Sequence, residues 1–176
     1  MQKRVFILIF LIAVLCVNIY SQDTVSLLFR ILKFERSLKN RAKGKVHIAV
    51  VYNNEKRYSA LEAINIAGEI NKFSDEKIQN LDVSHGIFIV DDKIDSKIKD
   101  SSIIYIAKGV NEREIMNIAK KHKILTVAQD KQYIKKVGIV ILKEEEENKF
   151  HINVKILKEE GVNIAQELLA ISKIYK

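Results

Sequence analysis

Residues 46–52 read VHIAVVY, a nearly continuous apolar run rich in β-branched residues. A strand with one wet face alternates apolar and polar positions. This one does not, so both its faces are buried, as in a parallel sheet covered by helices on either side. Parallel neighbours need crossover helices, and Tyr58 to Phe73 supplies one, with Leu61, Ile64 and Ala67 at helical spacing. Two further strands, Gly86–Val90 (GIFIV) and Ser102–Ala107 (SIIYIA), flank the largely polar segment Asp91 to Ser101. Asn111 to His122 reads as a helix with Ile115, Ile118 and Ala119 inward and Glu112 and Glu114 in its first turn, where acids suit the helix dipole. Ile124–Ala128 (ILTVA) is the next buried strand, and Asp130 starts a short helix running to Lys136. Lys77 to Val83 fits neither period, and an edge strand is the expectation there. Val137–Leu142 and Lys149–Val154 pair as a hairpin across the acidic tip Glu144–Glu147, longer than a tight turn.

Towards the start, Asp23 to Arg41 reads as one amphipathic helix: Val25, Leu28 and Leu32 form a stripe, with Phe29, Ile31, Phe34 and Leu38 beside it. Lys39 to Lys45 is basic, and Gly44 ends the helix. Towards the finish, residues 150–176 read FHINVKILKEEGVNIAQELLAISKIYK. A short strand stops at Asn153, a first helix stops at Gly161, and a second carries Ile164, Leu168, Leu169, Ile171 and Tyr175. Asn153 and Asn163 stand where helices begin and accept an otherwise unpaired N–H; Gln166 makes a capping-box-like pair with Asn163. Gly161 stops its helix in a left-handed conformation. The expected architecture is a three-layer α/β domain, a Rossmann-like sheet flanked by helices, finished by a C-terminal hairpin and helix pair. No repeat or linker divides it.

The order F-x-I-N, a short helix, then G-V-N-I-x-Q-E-L-L-A resembles the C-terminal signature of the YfiR-like family of periplasmic proteins. Phe150, Asn153, Gly161, Leu168 and Leu169 carry the match, with fold stability as their expected role, and the likeness extends loosely back to the helix around Leu28 to Phe34. The resemblance implies a periplasmic, non-enzymatic regulatory or sensory protein. It further implies a partner in the inner membrane, such as a diguanylate cyclase repressed from the periplasmic side, and a homodimer. The chain departs from the family in two places: Val137-Gly138 stands where the pattern has a pair of glycines, and the family's disulfides have no counterpart. The one cysteine is Cys16.

Cys16 belongs to a leader. Lys3 and Arg4 precede the apolar run Val5 to Val17, and Asn18 to Gln22 closes it with mostly polar and small residues, the layout of a secretory signal cut after Ser21. An uncleaved anchor is the competing reading, although the run is short of the about 20 residues a span needs. Leu15 stands where a lipoprotein signal wants a small residue. Residues 1–21 are therefore read as signal peptide and 22–176 as the α/β domain, exported to the periplasm without cysteine and so without disulfides.

At 176 residues the chain has room for one domain with a sizeable core, and 48% apolar content excludes a disordered chain. The net charge of +8 keeps such a domain soluble and names no partner by itself. The basic residues are interleaved with acids and lack stacking aromatics, which excludes nucleic-acid binding.

In open α/β sheets ligands sit beyond the carboxyl ends of the strands. That rule nominates Asp91 and Asp92 after GIFIV, Lys108, Gly109 and Asn111 after SIIYIA, and Gln129 and Asp130 after ILTVA. Lys108-Gly109 opening a helix is able to hold an anion on backbone N–H groups; the same residues also read as ordinary loop polarity and helix caps. His47, His85, His122 and His151 have no metal-pair spacing, and no cofactor motif is present: there is no G-x-S-x-G, Walker A or G-x-G-x-x-G. Ser84-His85 are neighbours on a strand and point to opposite faces. Glu144–Glu147 reads as a solvated tip, or as a contact for a cation or basic partner. The rival to a regulator is a periplasmic module binding a small solute in the strand-end crevice; a hydrolase lacks a nucleophile paired with a base.

Overall fold

The computed structural model describes residues 24–73, 75–143 and 148–176. The leader and the hairpin tip Glu144–Glu147 lie outside the described residues. Seven strands form one sheet: β1 (Lys45–Tyr52), β2 (Asp82–Ile89), β3 (Ile103–Ile106), β4 (Leu125–Ala128), β5 (Ile139–Lys143), β6 (Asn148–Asn153) and β7 (Lys173–Tyr175). Their order is β2-β1-β3-β4-β5-β6-β7. The first five are parallel, β6 runs antiparallel to β5, and β7 is parallel to β6. The helices are α1 (Thr24–Lys33), α2 (Leu38–Arg41), α3 (Arg57–Lys72), α4 (Ile94–Ile98), α5 (Glu112–His122), α6 (Val154–Glu159) and α7 (Gln166–Ala170).

The three-layer arrangement follows from the buried strands. Val46, Ile48 and Val50 of β1 pack with Leu28 and Leu32 of α1 and with Ala63, Ile66 and Ile70 of α3. Ala49 and Val51, on the opposite face of the same strand, pack with Ile94 and Ile98 of α4 and Ile115 and Ile118 of α5. Both faces of β3 and β4 are fully covered, which is why their sequences do not alternate.

Four local expectations are corrected. The N-terminal helix does not run to Arg41: it ends at Lys33 and resumes at Leu38, and between them Glu35 bridges to Ile164. The edge strand is one element, Asp82–Ile89, so GIFIV is its second half, and Ile78 and Leu81 instead close a tight turn through left-handed Gln79 and Asn80. The polar stretch after β2 holds α4, whose Ile94 and Ile98 are buried. The last helix begins beyond Asn163, with Ala165 preceding it and no side-chain cap, and gives way after Ala170 to β7, so Tyr175 is a strand residue. The Asn163 N–H points instead to Ser37 Oγ, 3.2 Å away, because the chain there is pinned against the segment after α1. The other caps hold: Asn111 accepts from Arg113 N–H, Asp130 from Gln132 N–H and Asn153 from Ile156 N–H.

Candidate functional site at the strand ends

The chain leaves β1 towards β2 on one side and reaches β3 on the other, so the carboxyl ends of β1 and β3 form the switch point where open sheets bind ligands. Side chains of this protein bridge that crevice. The Gly109 carbonyl, in a left-handed residue at φ 84°, accepts from Lys56 Nζ at 2.9 Å and from Asn53 Nδ2 at 3.4 Å. A Cβ at Gly109 would meet only the outer parts of the exposed Tyr58 and Lys56 side chains, which can move aside, so it is the left-handed φ that calls for glycine. The Lys108 N–H donates to Glu62 Oε2 at 3.0 Å. The anion on that backbone nitrogen is thus the carboxylate of the protein's own α3. The Tyr133 hydroxyl, between the carbonyls of Ala107 and Val110 at 2.9 Å each, fixes the loop from beneath.

Glu62 organises what lies beside the crevice. Its Oε1 accepts from the buried Tyr105 hydroxyl at 2.8 Å, and Gln129 Oε1 lies 3.2 Å from the same hydroxyl. Burial, reinforced by the Glu62 charge, pushes the Tyr105 phenol well above its ordinary value, so it stays a donor. Lys108 Nζ pairs with Asp130 Oδ2 at 3.0 Å, which raises the lysine. Partial burial works to raise Asp130, but the Gln132 N–H and Lys108 outweigh it and hold its carboxyl below the usual range. Next to this cluster, between α3 and the start of α1, opens a groove of about 350 Å³ lined by Thr24, Tyr58, Leu61, Glu62, Glu69 and Gln129 among others.

The structure therefore brings Lys108, Gly109 and Asp130 together, with Gln129 beside them. Asn111 adjoins them in sequence and spends its side chain on capping α5. Asp91 stands apart at the end of β2, where a hydrogen bond from Lys97 Nζ at 2.6 Å holds its carboxyl low and its other oxygen accepts from Lys93 N–H. Sequence reasoning missed Glu62, Tyr105, Asn53 and Lys56. Their position opposite the β3 loop depends on how α3 lies across β1, which no local pattern encodes.

A second polar locus joins the segment after α1 to the loop after α6, where Ser37 and Glu35 meet the Gly161 carbonyl and the Asn163 N–H. Glu35 is fully buried, paired with Arg41 Nη2 at 2.6 Å and hydrogen-bonded by the Ser37 hydroxyl. Arg41 Nη1 also donates to the carbonyls of Ser102 and Lys123. Glu160 is fully buried too, accepting from Thr126 Oγ1 at 2.5 Å and Thr126 N–H at 3.2 Å. The five signature residues have structural roles. Phe150 and Leu168 are buried, Leu169 packs against the same core, Asn153 caps α6 and donates to the Lys135 carbonyl, and Gly161 turns left-handed at φ 68°. Among the described residues no group of three His, Cys, Asp or Glu is placed to hold a metal ion, and no helix is long and apolar enough to cross a membrane.

A mostly parallel α/β domain with its switch-point crevice bridged by its own side chains, and with two buried carboxylates tying its loops to the sheet, is the class that fold and site define. The chain belongs to the YfiR/HmsC-like family (DUF4154), whose profile matches residues 21–173. No curated protein matches by sequence. Among solved structures it is similar to an ABC domain in complex with L-Trp from Streptococcus pneumonia, at 11% identity and TM-score 0.53, over 82% of this chain and 61% of that one. It is also similar to a conserved domain protein from Vibrio cholerae O1 biovar El Tor, at 13% identity and TM-score 0.53, over 86% of this chain and 58% of that one. The chain spans about three fifths of the length of either neighbour, and at these identities the likeness is one of fold.

Proposed function

We propose that this protein is a periplasmic regulator, exported by a signal peptide cleaved after Ser21, that restrains an inner-membrane signalling protein such as a diguanylate cyclase. The observation that carries the reading is membership of the YfiR/HmsC-like family across residues 21–173. The strand ends are in keeping with it: Lys108 pairs with Asp130, its N–H is taken by Glu62 and the Gly109 carbonyl by Lys56, so these polar groups are spent on one another and not on a substrate. The test is deletion of the gene, with cyclic diguanylate measured in the cells. A rise reversed by the exported protein and not by a leaderless one supports the reading; unchanged levels, with no membrane signalling protein recovered by cross-linking, refute it.

The groove between α3 and α1 favours a second reading, a module for a small solute, since it opens beside the strand ends and combines Tyr58 and Leu61 with the polar Glu62 and Gln129. One fold neighbour was solved with a small molecule bound. Saturable thermal stabilisation of the purified protein by a small solute, abolished by Leu61→Lys, is the result this reading requires.

A further inference from the structure

Lysines gather at the edge of the sheet formed by β7, where Lys173 and Lys176 are exposed. α6 follows β6 at Asn153 without a loop, packs against β7 and carries Lys155 and Lys158 on its exposed side. Lys135 joins them from the turn before β5, its Nζ 5.4 Å from the centre of the Tyr175 ring. Residues 148–158 and 168–176 contain no Asp or Glu. The acids that lie between them are paired or buried: Glu159 meets Lys120 at 2.7 Å, Glu167 meets Arg36 at 3.8 Å, and Glu160 is buried with its carboxyl pushed up to about 8, uncharged at neutral pH. Lysine on a short edge strand discourages further strands, and Lys173 alone would serve that end. Lys135, Lys155 and Lys158 stand off the strand, so the basic surface is broader than that need.

Apolar side chains stand among these cations. Ile171 is 70% exposed, the most of any large apolar residue among the described ones, and Ile174 is 37% exposed. Two residues before Ile171, Leu169 lines a groove of about 420 Å³ between α6 and α7, with Val154, Leu157 and Ile164 along it and Lys158 beside them. Lysine stems lie along apolar surface while their ammonium groups reach out to anions. Interfaces between proteins draw on Arg and aromatic rings and are poor in Lys. Lysines around exposed aliphatic groups match an anionic bilayer instead, which attracts the cations to its headgroups and takes the aliphatic groups at its boundary.

We propose that the β7 edge docks on an anionic membrane surface. The sheet stands edge-on to the lipid, with Lys155, Lys158, Lys173 and Lys176 against the phosphates and Ile171 and Ile174 at the boundary between headgroups and chains. β2, at the opposite end of the strand order, points away from it. The contact is made with lipid directly and stands apart from the regulatory reading.

The test uses the exported form of the chain, freed of its apolar leader, and vesicles of phosphatidylcholine alone or in equal mixture with phosphatidylglycerol. Co-sedimentation is expected with the mixed vesicles and not with phosphatidylcholine, and to weaken as salt rises. Lys173→Glu with Lys176→Glu is expected to weaken it by more than about tenfold. Ile171→Ser, which leaves the charge unchanged, is expected to weaken it severalfold. Lys72→Glu with Lys99→Glu makes the same change of net charge near the other end of the sheet and is expected to leave binding nearly unchanged. All five positions are exposed, so circular dichroism and melting profiles are expected to show every variant folded. An environment-sensitive dye on Ile171→Cys is expected to shift to the blue on mixed vesicles, and the same dye on Ile87→Cys not to. No binding to mixed vesicles, equal binding to both kinds, or equal loss in the two double variants overturns the proposal. So does a chain that ignores vesicles and binds polyglutamate through the same lysines, which would assign the edge to an acidic protein.

Discussion

Replacing Glu160 by Gln should remove a pH dependence built into the contact between the end of α6 and β4. Glu160 sits beneath α6 with both oxygens on Thr126, whose hydroxyl in turn accepts from the Gly138 N–H at 2.8 Å. Burial pushes the carboxyl from 4.5 up to about 8, against the Thr126 hydrogen bonds and the charges of Arg41 and Lys120. In the unfolded chain it titrates near the ordinary glutamate value. Between those limits the folded protein holds a proton that the unfolded chain has released. The contribution to stability is therefore complete below the unfolded pKa and is lost as pH rises through about 8. At 1.36 kcal/mol per pH unit the loss is on the order of 5 kcal/mol, comparable to the whole stability of a marginal domain. Glutamine keeps the shape and an oxygen for the Thr126 N–H but carries no ionisable proton. Urea unfolding of both proteins from about pH 5 to about pH 9 measures the difference. The wild type should lose stability relative to Glu160→Gln as pH rises and level off above about 8. A difference between the two that stays constant across the range would refute the reasoning.

Gly138→Ala should cost on the order of 1–3 kcal/mol, read from the denaturation midpoint, because a Cβ there meets Glu160 Oε2 at 2.7 Å, Leu157 Cδ2 at 2.8 Å and the Thr126 carbonyl at 3.1 Å. Tyr105→Phe removes the hydroxyl that donates to Glu62 in a buried setting and should cost about 1 kcal/mol by the same measurement. Alanine at Asp91, Lys108 and Asp130 should leave regulation unchanged, with little change in melting temperature at Asp91 and Lys108, whose ion pairs are partly exposed, and a loss of about 1 kcal/mol at Asp130, which is mostly buried and caps the turn that follows it; lost signalling with folding intact would make them contact residues instead.

Local chemistry was legible wherever one segment settles its own backbone. The unbroken β-branched runs of β1, β3 and β4 can be buried only on both faces, and the hairpin of β5 and β6 follows from two apolar runs around an acidic tip. Asn111, Asp130, Asn153 and Gly161 act within a few residues of themselves, so their roles as caps and helix stop needed no knowledge of the rest of the chain. Of the nominated strand-end residues, Lys108, Gly109 and Asp130 were reachable because parallel strands align their carboxyl ends.

What tertiary structure decided are the places where a distant partner outweighs local preference. Ile164 to Tyr175 has helical spacing, yet β6 offers an unpaired edge, and backbone hydrogen bonds to it convert the last residues into β7. The N-terminal helix breaks at Glu35 because that carboxylate is drawn inward by Arg41 and by the loop after Gly161, more than a hundred residues away. Glu62 and Glu160 look, in sequence, like solvated acids on helices. Only the crossing of α3 over β1 and of α6 over β4 turns them inward to meet Tyr105 and Thr126. Apolar periodicity records which face of an element is buried; it carries no record of which polar group waits there, since that depends on how separate elements are set against each other.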